Sequence, residues 1–198
     1  QSRPNEQRWL LGAAVSLAAL GQTRSATEMA DKARAVGVVS PEVLAYLRQM
    51  GVPLDGHFKK FDAQVAFDPA KLATSKITFT VDTGSATLGS KETDAELPKA
   101  VWFNVPKFPQ ATFESSAIKA LGGGKFEVAG KLTIKGNSVN VVAPVTLTQA
   151  GPVTTATGAF PIKRLAFKIG ENEWADTSMV ADDVQVKFKL ALTGVGKL

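Results

Sequence analysis

The sequence predicts an all-β domain of about eight antiparallel strands with one short helical insert, preceded by a helical N-terminal segment. Three observations lead there. From residue 43 onward, apolar and polar residues alternate with the period of two that marks half-buried strands. Turn signals punctuate the alternation at Asp68-Pro69, Gly122-Gly123-Gly124, Lys135-Gly136-Asn137, Gly151-Pro152 and Gly170. Composition also breaks sharply: five of the six arginines lie in residues 1–48, whereas 16 of the 17 lysines and 13 of the 15 aromatic residues lie beyond.

Residues 1–26 read as a secretory signal peptide, the alternative being an amphipathic helix packed on the domain. Arg3 and Arg8 precede the twelve-residue apolar run Trp9–Leu20, and small residues follow near Ser25. A basic start, a short apolar stretch and small residues at its end are the three parts of a leader. Twelve apolar residues are too few to span a bilayer comfortably. A periplasmic or secreted location is therefore expected. Residues 27–42 read as a linker with a short helix: Thr27–Val36 has a helical composition, and Ser40-Pro41 breaks it. Residues 43–198 are the expected domain.

Strands are expected at 43–50, 54–67, 74–84, 111–121, 125–135, 138–149, 153–169 and 181–192, with a helix over Glu92–Ala100. In 54–67 the phase slips once, Phe58 being even and Phe61, Val65 and Phe67 odd. A bulge near Lys59-Lys60 would return both sets to one face. Ile77, Phe79 and Val81 alternate with Lys76, Thr78, Thr80 and Asp82. Phe126, Val128, Leu132 and Ile134 share a face, as do Val139, Val141, Val145 and Leu147, and then Val184, Val186, Phe188 and Leu190. Such strands imply a sandwich or a closed barrel, and periodicity does not choose between them. The outward faces carry Lys and Thr rather than lipid-facing aromatics, which argues against an outer-membrane barrel.

The chemistry is restrictive. No cysteine is present, which excludes disulfides, thiolate metal sites and cysteine nucleophiles. The single histidine, His57, leaves one candidate base, but no nucleophile motif accompanies it beside Asp55 and Asp62. The carboxylate pairs Asp182-Asp183, Glu171 with Glu173 and Asp94 with Glu96 sit at turns or on a helix face, where solvated charge is the ordinary role. Gly122-Gly123-Gly124 lies between two strands, and a phosphate cradle needs a helix to follow. The net charge, 23 − 18 = +5, is far below the footprint of a nucleic-acid binder. These residues read as a binding module, not an enzyme, with no required cofactor.

The expected inward set is aromatic but otherwise narrow. Phe58, Phe61, Phe67, Phe79, Phe113, Phe126, Phe160, Phe167 and Phe188 stand among Ala63, Val65, Val81, Ala117, Val128, Val139, Val141, Ala143 and Val145, with Trp102, Phe103 and Trp174 in connections. Narrow side chains leave room for an apolar ligand, and an ordinary core is the other reading.

Several segments resemble the YceI-like family. Gln49-Met-Gly-Val-Pro-Leu-Asp-Gly-His-Phe-Lys-Lys-Phe61 with Phe67-Asp-Pro69 is similar to the family's opening. Asp94-Ala-Glu-Leu97 with Trp102-Phe103 resembles its helical segment, and Pro109-Gln-Ala-Thr-Phe-Glu-Ser115 a strand. Gly130-Lys-Leu-Thr-Ile-Lys-Gly136 looks like its hairpin, and Ile162-Lys-Arg-Leu-Ala-Phe-Lys-Ile-Gly170 a late strand; the likeness runs from about Gln49 to Leu192. Pro41, across the expected entry to the first strand, is a departure.

This resemblance implies an extended eight-stranded lipocalin-like barrel that holds a polyisoprenoid or isoprenoid quinone in an elongated pocket, by sequestration rather than catalysis. The wall it implies comprises Phe61, Phe67, Phe79, Trp102, Phe113, Phe126, Val141, Phe167 and Phe188, with Arg164 and His57 meeting a polar head group. Transient membrane contact is compatible with that role, and the sequence does not set the oligomeric state. The competing reading is a secreted interaction or stress protein whose barrel is a filled scaffold.

Overall fold

Three glycine-rich turns set the course of the chain. Gly122, Gly123 and Gly124 take φ of +87°, +61° and +73°, conformations that an L side chain resists, and they join two long strands. Lys135 and Gly136, at φ of +50° and +75°, form a two-residue connection with the right twist for a hairpin, since Ile134 and Asn137 pair directly. Gly151, at +60°, turns the next pair.

The computed structural model describes Met29 and residues 55–89, 91–178 and 180–198. The expected leader, nearly all of the linker and the strand at 43–50 lie outside them. The strands are β1 (His57–Phe58), β2 (Phe61–Ala66), β3 (Lys76–Asp82), β4 (Ala86–Thr87), β5 (Gln110–Gly122), β6 (Lys125–Ile134), β7 (Asn137–Ala150), β8 (Val153–Lys163) and β9 (Asp183–Thr193). A helix, α1 (Lys91–Glu96), precedes β5, and among the described residues 3-10 turns occupy Leu72–Thr74, Thr83–Ser85, Arg164–Phe167 and Asn172–Ala175. Seven strands form one antiparallel sheet in the order β2-β3-β5-β6-β7-β8-β9, curled into a half-barrel, while β1 and β4 make a separate ribbon.

The alternation places its apolar residues on one face. Phe126, Val128 and Ile134 are buried on β6, Ala143 and Leu147 on β7, and Ala156, Phe160 and Ile162 on β8. The core gathers toward the two ends of the sheet. One cluster joins Ala111, Ile134, Ala143, Phe160 and Ile162 to Phe167 and Ile169, with Trp102 and Phe103 packed against it. The other joins Phe126, Leu147 and Ala156, covered by Phe67, Leu72, Ile118 and Leu190.

Three local expectations change. The phase slip at Lys59-Lys60 is a break between β1 and β2, matched on the partner side by the Thr83–Ser85 turn. Lys59 donates its N–H to the Ser85 carbonyl at 3.1 Å and Lys60 its N–H to Ser85 Oγ at 3.0 Å. Ala117 is exposed rather than inward, because the β5–β6 register shifts between Ser115 and Ala117 and passes the inward track to Ile118. The strand expected at 153–169 stops at Lys163, and Arg164–Phe167 coils into a 3-10 turn ended by Lys168 at φ +56°.

Candidate ligand-binding trough

The concave face is apolar along its length, and glycines deepen its middle. Phe79 and Phe113 are directly opposite on β3 and β5, and directly opposite residues share a face. The Phe113 ring lies across Gly130 on β6, where a Cβ would strike the ring and the Glu114 carbonyl. Gly130 in turn pairs with Val141 on β7. On the far side, Phe188 of β9 covers Gly158 of β8 in the same way. Both rings thus lie on glycine in the sheet, so each takes up less of the trough than a ring standing above a larger neighbour. Phe79 and Phe188 approach to 6.5 Å between ring centres at 43°, although they sit on the second and seventh strands of the sheet.

The ends are closed by aromatic contacts. Phe67, just past β2, meets Phe126 edge to face at 5.3 Å. At the other end Trp102 packs on Trp174 at 5.5 Å, and Phe167 behind them is 1% exposed. Phe61 opposes Val81 and so belongs to the concave track, but it lies on the edge strand and is 57% exposed. Of the nine expected wall residues, the geometry therefore brings Phe79, Phe113, Val141 and Phe188 together at mid-trough. Phe67, Phe126, Trp102 and Phe167 fall at its ends and Phe61 at its open margin.

The two polar expectations resolve differently. His57 is exposed on the β1–β4 ribbon, opposite Thr87. Arg164 is a correction: it is buried, 3% exposed, and its side chain organises the loop instead of facing a head group. Nε donates to the Ala181 carbonyl at 2.9 Å. One terminal nitrogen donates to Ile169 and Gly170 at 2.8 and 3.1 Å, the other to Trp174 and Val180 at 2.6 and 2.7 Å. All five guanidinium N–H groups thus have main-chain carbonyl partners.

The carboxylates likewise serve local structure. Asp94 accepts from the Thr87 hydroxyl at 2.6 Å and the Leu88 N–H at 2.8 Å, tying α1 to β4. Asp182 accepts the Leu165 N–H, and Asp183 pairs with Lys163. Glu171 accepts from Lys135 at 2.8 Å; that hydrogen bond, with the ammonium charge, holds its carboxyl below the usual carboxylate range. Lys135 is a buried cation that pattern reading missed. Its one signal is a lysine in the left-handed turn position where asparagine or glycine is usual.

The YceI-like domain model matches residues 36–192. The chain belongs to the YceI-like family. The Burkholderia cenocepacia protein BcnA is 51% identical, with a TM-score of 0.71 over 74% of this chain and 92% of that one. Protein YceI of Salmonella newport is 39% identical over 94 residues, 48% of this chain and 47% of that protein. A Vibrio cholerae UPF0312 protein is 34% identical over 98 residues, 50% of this chain and 52% of the other. The chain thus spans about half the length of the curated relatives it matches. A polyisoprenoid binding domain from Saccharophagus degradans, implicated in plant cell wall breakdown, shares the fold at 12% identity and a TM-score of 0.52, covering 69% of this chain and 83% of that one. The YceI fold accordingly accounts for the sheet order and curl found here.

Proposed function

We propose that this YceI-like protein binds a long apolar chain of the isoprenoid type, a prenyl quinone or polyprenyl lipid, along the concave face of its sheet. The observation that carries the reading is the half-buried apolar band Phe79–Phe113–Val141–Phe188, bordered by Gly130 and Gly158. Apolar surface left partly open gains about 25 cal/mol per Å² when an apolar partner covers it, less the cost of ordering that partner. The printed description of the Saccharophagus degradans relative as a polyisoprenoid binding domain agrees with this choice of ligand. The protein acts by sequestration or carriage rather than catalysis, and the leader-like residues 1–26 favour a periplasmic or secreted site of action.

A second reading rests on the contact between Phe79 and Phe188. Rings that meet across the trough could fill it, leaving a scaffold whose partner docks outside. Native mass spectrometry before and after organic extraction separates the two. A stoichiometric prenylated lipid is the expected result; an empty protein that also refuses added quinone favours the scaffold.

A further inference from the structure

We propose that the depression between the β6–β7 turn and the Arg164–Glu171 loop binds an oxyanion, a phosphate or carboxylate group, independently of the apolar trough. The depression has a volume of about 550 Å³ and is lined by Asn104, Lys107, Phe108, Lys135, Lys168 and Glu171, among others. Its floor holds a buried cation. The Lys135 side chain is 5% exposed, and its ammonium donates to the Lys168 carbonyl at 2.7 Å and to Glu171 Oε2 at 2.8 Å. An ammonium carries three donors, and these two contacts use two of them.

The charge balance points the same way. Three lysines and one carboxylate are among the lining residues, and Glu171, 44% exposed at its side chain, is the internal anion that an incoming oxyanion would join or displace. Lys107 is held at the rim with its ammonium 5.4 Å from the centre of the Phe108 ring. The backbone is shaped around the same spot. Asn104, Lys135 and Lys168 all take left-handed φ, at 49°, 50° and 56°, and Asn172, at 59°, follows one residue after Glu171. A buried ammonium in a depression bordered by further lysines is the chemistry that recognises phosphate or carboxylate.

The test is an amide NMR titration of the full chain in low-salt buffer, first with sodium phosphate and pyrophosphate, then with phosphatidylglycerol against phosphatidylcholine vesicles. Saturable shifts confined to residues 104–108, 135–137 and 168–171 are expected, weakening as ionic strength rises. Saturation by free phosphate assigns the site to a soluble oxyanion, and a response to phosphatidylglycerol alone assigns it to a lipid head group. The double variant Lys107→Ala/Lys168→Ala alters two exposed side chains and should weaken binding about tenfold, while Lys135→Met should abolish it. Shifts that stay linear to about 50 mM, shifts scattered over the other surface lysines, or unchanged affinity in the folded double variant would overturn the proposal.

Discussion

Phe79 and Phe188 lie on strands five places apart in the sheet, yet their rings come within 6.5 Å. The sheet reaches that curvature because glycine sits where the rings press closest. A Cβ on Gly158 would run into the edge of the Phe188 ring at Cζ and lie 2.5 Å from the Pro144 carbonyl oxygen. Gly158→Ala should therefore destabilise by about 1–3 kcal/mol, the usual cost of overpacking. Adding Phe188→Leu should restore only part of the loss, since the carbonyl clash remains. Urea denaturation of the single and double variants checks this, and a neutral Gly158→Ala would show that the ring does not pin the sheet.

Arg164 is the second lever. Five carbonyls converge on its guanidinium, and lysine can offer only three donors from one nitrogen. Arg164→Lys should cost about 3 kcal/mol or more through buried groups left unpaired. The loss should appear as faster hydrogen exchange across residues 164–182. A head-group contact would instead leave stability unchanged and alter only ligand affinity.

Neighbouring residues on β7 face opposite ways. Val141 packs against the apolar cluster beside Gly130, while Val142 is 56% exposed on the other face. Val141→Trp should lower lipid occupancy at least about fivefold by filling mid-trough space, whereas Val142→Trp should leave it unchanged. Occupancy read by native mass spectrometry decides; equal behaviour of the two variants would move the ligand off the concave face.

The Lys135–Glu171 pair sets an acid dependence. Because the folded-state pKa of Glu171 is depressed, chiefly by the hydrogen bond from Lys135, its contribution is present above the unfolded carboxyl value of about 4.3 and is lost as pH falls through the lower folded one. Loop protection at residues 164–172 should therefore decline below about pH 4. Glu171→Gln should lack that component. Parallel pH profiles for the two proteins would show that the pair does not dock the loop.

Much of this was legible in period-two alternation. The limits of β5, β6, β7 and β9 fall within two residues of those expected, because each is bounded by glycine, proline or aspartate turn chemistry. What escaped was set by contacts distant in sequence. The outward turn of Ala117 depends on one extra residue in β5, which no local pattern records. The early end of β8 depends on carbonyls from residues 169–181 gathering on Arg164. A lone arginine in Ile162–Gly170 reads equally well as a surface strand residue. Phase put Phe79, Phe113, Phe126, Phe160 and Phe188 on the inward track, whereas Phe58 stands exposed on the β1–β4 ribbon and Phe167 lies in a 3-10 turn; that Phe113 and Phe188 lie down on glycine follows only from strand pairing.

The most direct test of the central claim is photo-crosslinking with a diazirine-bearing isoprenoid chain, followed by peptide mapping. Labels should fall on the inward residues of β3, β5, β7 and β9, with Phe79, Phe113, Val141 and Phe188 foremost, and unlabelled prenyl quinone should compete them away. Labels on outward residues such as Val142 and Lys187, or labelling that competitor does not reduce, would contradict it.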